Sequence, residues 1–197
     1  MKKQLLFLCL LVIVTMNAFA QKTPVVFYGV DFSLVKVCGA DESDTEFVFA
    51  FNKINDLFIS ESQKYDVARY MRLPITQKEL SVAKRATKKA IGTAGTASSD
   101  DEHRLLYEDP DYDCAPQVES QVAGYELPQT EGRGAVIIAN LLDKRNSRGS
   151  FYFVTFDIAS RKVESCTPAV GKPGGFGLRN YWANALYQAM KSYYKYK

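Results

Sequence analysis

Histidine is almost missing from this chain: His103 is the one imidazole in 197 residues. A lone histidine excludes paired-histidine metal sites, and as a catalytic base it stands badly, in a small, polar, acidic stretch. No G-x-S-x-G elbow is present to supply a serine nucleophile. Cysteine is scarce as well, at Cys9, Cys38, Cys114 and Cys166. None of these forms a C-x-x-C pair, and His103 completes no zinc site with them at a standard spacing. The phosphate-loop pattern G-x-x-x-x-G-K-[ST] is absent, and so is a dinucleotide G-x-G-x-x-G near the start. No metal and no cofactor is therefore expected.

Long apolar runs are equally rare. The only one, Leu5 to Val14, follows Lys2 and Lys3 and leads to Ala18-Phe19-Ala20, the small-x-small site of a signal peptide. Cleavage between Ala20 and Gln21 is expected, with the mature chain periplasmic or secreted. Phe7-Leu8 before Cys9 does not make a lipobox, and no later stretch is apolar for the length of a membrane span. Removing residues 1–20 leaves 23 basic against 22 acidic residues, a net charge of +1. Nucleic acid is thereby disfavoured as a partner. Cys38, Cys114 and Cys166 then remain, allowing at most one internal disulfide whose pairing the sequence leaves open.

The remaining 177 residues suit one domain with a substantial core. Val25 to Val37 reads as one strand, apolar on both faces and so central in its sheet. Val26, Tyr28, Val30, Phe32 and Leu34 would share one face, with Val25, Phe27, Val35 and Val37 on the other. Asp31 interrupts it, and a mid-strand carboxylate needs water or a partner. It reads either as a pocket acid or as a cap for nearby backbone or partner of a structural arginine.

Ser43-Asp44-Thr45-Glu46 has the spacing of a capping box and opens a helix with Phe47, Phe51, Ile54 and Phe58 on one stripe. Tyr65 to Leu73 reads as a short strand. Thr76-Gln77-Lys78-Glu79 repeats the capping spacing and predicts a basic helix over 77–91, with Leu80, Ala83, Thr87 and Ile91 inward. A mobile polar and acidic loop is expected around 92–113. Asp109, Asp111 and Asp113 alternate like a calcium loop, but Cys114 stands where that loop needs glycine and Ser120 where it needs glutamate. Asp113 instead suits the cap of a short helix over 116–125. Gly134 to Leu142, Ser150 to Ile158 and Lys162 to Thr167 form an antiparallel meander. A terminal helix follows with Trp182, Leu186, Ala189 and Tyr193 inward. The fold class is α+β: one domain, a mixed sheet with a central N-terminal strand and C-terminal meander, and helices packed on the sheet.

Between the meander and that helix lies V-G-K-P-G-G-F-G-L-R-N-Y-W, Val170 to Trp182, the most unusual stretch in the chain. Gly171, Gly174, Gly175 and Gly177 permit a tight connection from a strand ending near Cys166, with a positive φ at Gly174 or Gly175. Two readings follow. The loop packs under the helix through Phe176 and Trp182, or its N–H groups, Lys172 and Arg179 hold an anion. Candidate ligand-binding residues are Asp31, Lys172, Gly174, Gly175, Arg179 and Asn180.

Y-G-V-D-F-S at 28–33, N-x-I-N at 52–55 and G-K-P-G-G-F-G-L-R-N-Y-W at 171–182 together resemble a group of small secreted proteins of Bacteroidota-type bacteria. That resemblance spans most of the mature chain and implies export and a single α+β domain, with no site residues to carry over. The strand-helix-strand start and meander-helix finish are also similar to small envelope domains of TolB-like proteins. The expected function is a non-enzymatic module that binds an envelope protein or surface component. The alternative is a small-anion site or weak hydrolase joining Asp31, as base, to the glycine loop.

Overall fold

The computed structural model describes residues 23–92 and 105–196. The signal-peptide reading and His103 lie outside the described residues. The fold is α+β, a six-stranded mixed sheet with helices on both faces. Strand β1 (Val25–Asp31) runs parallel to β3 (Ile75–Lys78) on one side and to β4 (Arg133–Asp143) on the other. Strands β5 (Arg148–Asp157) and β6 (Val163–Gly171) continue antiparallel, giving the order β3-β1-β4-β5-β6. The short β2 (Lys36–Cys38) pairs parallel with the far end of β4.

The single strand expected over 25–37 is thus two strands. The Asp31 carboxylate accepts the Ser33 N–H at 2.8 Å and the Phe32 carbonyl accepts the Val35 N–H at 3.2 Å, which turns the chain between them. The expected faces also change, because Gly29 (φ +98°) makes a bulge between Phe27 and Val30. One extra residue inverts the alternation, so Val30 and Phe32 join Val25 and Phe27 in one core while Val26 and Tyr28 face the other. Asn55 fills the gap in the ladder: its Oδ1 accepts the Val30 N–H at 2.8 Å and its Nδ2 donates to the Val30 carbonyl at 2.9 Å.

Asn55 belongs to helix α1 (Asp44–Ser60), which begins with the capping box expected at Ser43 and Glu46. Its stripe Phe47, Phe51, Ile54 and Phe58 is buried, with Phe51 stacked 3.9 Å from Phe32. The next two expectations fail. Over 65–73 the chain forms helix α2 (Val67–Met71), capped by Asp66 and closed by Arg72 in a left-handed conformation. Residues 75–78 are strand β3, not the start of a helix, because β1 offers a parallel edge there. Helix α3 (Ser81–Ile91) starts later, without a side-chain cap, and buries Val82, Ala83 and Thr87.

The described part of the acidic loop is tied to the fold from Leu105 onward. The Leu105 carbonyl accepts the Val37 N–H at 2.7 Å, and Tyr107 N–H returns to the Val37 carbonyl at 2.8 Å. Asp113 accepts the Ala115 N–H before a 3-10 turn (Ala115–Gln117) and helix α4 (Val118–Ala123). Val118, Val122 and Tyr125 are buried, as their spacing predicts. Helix α5 (Leu178–Tyr196) buries Trp182, Leu186, Ala189 and Tyr193. It shares one core with α1 and α2, while α4 and part of α3 cover the opposite face.

Candidate functional site

Chain order reverses beside β1, since β3 lies on one side of it and β4 on the other. In open sheets of this kind ligands sit beyond the C-terminal ends of the parallel strands at the reversal. Asp31 ends β1 and therefore stands at that place. Here the chain itself fills the crevice: β2 pairs with Leu141, Leu142 and Asp143, and Leu106 bridges to Val37.

Asp31 is fully buried, and neutral donors occupy its carboxylate. Oδ1 accepts the Ser33 N–H at 2.8 Å and the Thr87 hydroxyl at 3.5 Å; Oδ2 accepts the Gln121 amide at 2.8 Å and the Tyr125 hydroxyl at 2.6 Å. Burial, with the Asp31 charge beside it, pushes the Tyr125 phenol well above its ordinary range, so it stays a donor. Asp31 is accordingly the fastener that ties β1 to α3 and α4. Among the described residues it pairs with no arginine. Apart from the Ser33 N–H, its partners lie 56 to 94 residues away and carry no local motif, so sequence reasoning could not name them.

The glycine loop is elsewhere. Strand β6 runs past Thr167 to Gly171, which shortens the connection to 172–177. A Cβ at Gly171 would strike the Ala185 carbonyl and the Ala189 nitrogen of α5, so glycine here allows strand and helix to touch. Gly175 (φ +100°) and Gly177 (φ +80°) are left-handed; Gly174 is not. Four hydrogen bonds brace the turn. Gly174 N–H donates to the Tyr181 carbonyl at 3.2 Å and Tyr181 N–H to the Gly177 carbonyl at 3.0 Å. The Asn180 amide donates to the Phe176 carbonyl at 2.9 Å and the Asn184 amide to the Lys172 carbonyl at 3.1 Å.

Half of the packing expectation is corrected here. Trp182 is buried under the helix, but Phe176 stands 95% exposed at the tip of the loop. Gly174, Gly175 and Asn180 belong to the braced turn with Lys172 at its start, whereas Arg179 turns to Glu61 at 3.8 Å, beside the end of α1. Asp31 is not part of this group. Strands β4 and β5 separate its strand from β6, and its partners come from the helices of the opposite face.

Two depressions carry positive charge. One, of about 570 Å³, sets Arg85, Lys88 and Lys89 of α3 beside Tyr125 and Glu126. The other, of about 490 Å³, adjoins the glycine loop and is lined by Lys172, Lys191 and Lys195 with Asn184 and Gln188. The thiols offer little reactivity. All three described cysteines are unpaired; Cys38 and Cys114 are buried, and burial pushes the Cys114 thiol up to about 12. Cys166 is exposed, with a thiol raised by partial burial and by nearby Asp113. Among the described residues no three His, Cys, Asp or Glu side chains converge for a metal ion, and no helix is long and apolar enough to cross a membrane.

Compared with known proteins, the chain matches no family model, no curated protein and no solved structure.

Proposed function

We propose that this chain is an exported, non-enzymatic binding module that engages a partner protein or surface component through the glycine loop. One observation carries the reading: Phe176 is 95% exposed on a loop held by four hydrogen bonds to its own helix. An exposed phenylalanine gains by leaving water, and a braced backbone removes most of the ordering cost of binding, the combination found in interface anchors. Burial of Asp31 and the raised thiol of Cys114 weigh in the same direction, since each withdraws a reactive group from solvent. A weak hydrolase joining Asp31 to the loop would need a cavity common to both, and the two lie on separate strands with no shared partner.

The test is site-specific photocrosslinking from position 176 in the native envelope, compared with capture by Phe176→Ala. Wild-type protein is expected to yield a discrete adduct, and Phe176→Ala to lose partner capture while keeping its melting temperature, since so exposed a ring contributes little to folding. Capture that is unchanged in Phe176→Ala would remove the loop as the binding element.

A further inference from the structure

The groove beside the loop has a sharper chemistry than the loop itself. We infer that the partner presents an extended acidic peptide, seated between the outer edge of β6 and the C-terminal half of α5; this rests on the loop reading above and names the partner's chemistry. Among the described residues three lysines line the groove and no carboxylate does. None of Lys172, Lys191 and Lys195 is in an ion pair among the described residues, although Lys191 lies 5.5 Å from the Tyr187 ring centre. Three unneutralised ammonium groups around one depression repel each other, and a carboxylate-rich occupant relieves that repulsion.

The backbone favours a peptide over other anions. Strand β6 ends the sheet, so its outer edge pairs with no strand among the described residues. Pro168 lies within β6 opposite Tyr152, and having no N–H to give it must turn its nitrogen outward. By the two-residue alternation of the ladder Val170 also faces outward, and there the N–H and C=O are intact. Val170 is 47% exposed and lines the groove. An extended chain laid there can exchange main-chain hydrogen bonds with Val170, the mode of strand addition.

The spacings also agree. Alternate side chains of an extended strand are about 6.6 Å apart. Lys191 and Lys195, four residues apart on α5, are separated by about 6 Å along the helix axis. A peptide with Glu at every second position therefore matches the spacing of the two lysines, while Lys172 lines the loop end of the groove.

The experiment is fluorescence anisotropy of residues 21–197 with a labelled hexapeptide alternating Val and Glu. Controls are the Gln-for-Glu peptide, a backbone N-methylated peptide, tripolyphosphate and dextran sulfate. The alternating peptide is expected to bind and to weaken steeply between 50 and 300 mM salt. Lys191→Ala with Lys195→Ala should reduce affinity at least tenfold, and N-methylation should do the same, at unchanged melting temperature. Phe176→Ala should leave the short peptide bound, so this outcome is separable from the loop test. Absence of peptide binding, indifference to the double lysine variant or to N-methylation, or equally tight competition by dextran sulfate or tripolyphosphate would each overturn the proposal.

Discussion

A carboxylate buried without a cation is kept in place by its donors, so removing Asp31 should be felt in folding and not in binding. Asp31→Ala leaves the Tyr125 hydroxyl, the Gln121 amide and the Ser33 N–H without their acceptor. Each such loss costs about 1–3 kcal/mol when the group stays buried. Urea denaturation should show that loss, whereas a variant of normal stability that fails to bind would return Asp31 to a functional role. The loop glycines separate two other physical effects. Gly175→Ala forces a Cβ into positive φ, a strain of about 1–2 kcal/mol. Gly171→Ala drives a methyl into the backbone of α5, which cannot rotate away, and should cost at least the about 1–3 kcal/mol typical of overpacking. Equal midpoints for the two variants in guanidinium would contradict this ranking. Asp31 and these glycines were visible in the sequence because each breaks an apolar or periodic run. The exposure of Phe176 was not, since an aromatic beside a helix start reads equally well as packing.

At the start of α1 the Ser43 backbone N–H, helped by its hydroxyl, holds the Glu46 carboxyl below its ordinary value. A lowered folded-state pKa means that the cap's contribution is complete above the unfolded value of 4.5 and is lost as pH falls through the folded one. Stability of the wild type should therefore fall more steeply than that of Glu46→Gln below about pH 4.5, where the unfolded carboxyl is half protonated and the folded one still ionised. Parallel acid titrations of the two proteins by circular dichroism would contradict the cap. Helices α1 and α5 and the meander were legible because their apolar periodicity persists over many residues. Helix α2 and strand β3 were not. Val67, Tyr70 and Met71 bury as well on one helical turn as on a strand, and Thr76 with Glu79 mimics a cap. Pairing with β1 decides the matter for β3, and that pairing lies some 50 residues away in the chain. The bulge in the first strand depends likewise on Gly29 meeting Asn55, a contact no local pattern announces.

Taken whole, the molecule is sealed at the end of its parallel strands and open along its last one. Its own segments 36–38 and 105–107 cover the crevice beside Asp31, while among the described residues no strand pairs with the outer side of β6. An open edge of nine residues is normally a template on which identical copies stack into sheets. Pro168 sits in the middle of that edge and interrupts the row of donors, so two copies of β6 cannot zip together along their full length. The proline thus acts as a safeguard of solubility: it permits a short outside strand near Val170 but denies the continuous pairing that self-assembly needs. Pro168→Val should restore the missing N–H and raise β propensity at once. Light scattering should then grow with concentration in the variant and stay flat in the wild type, and a Pro168→Val protein that remains monomeric at high concentration would show that something other than this ring keeps the edge apart.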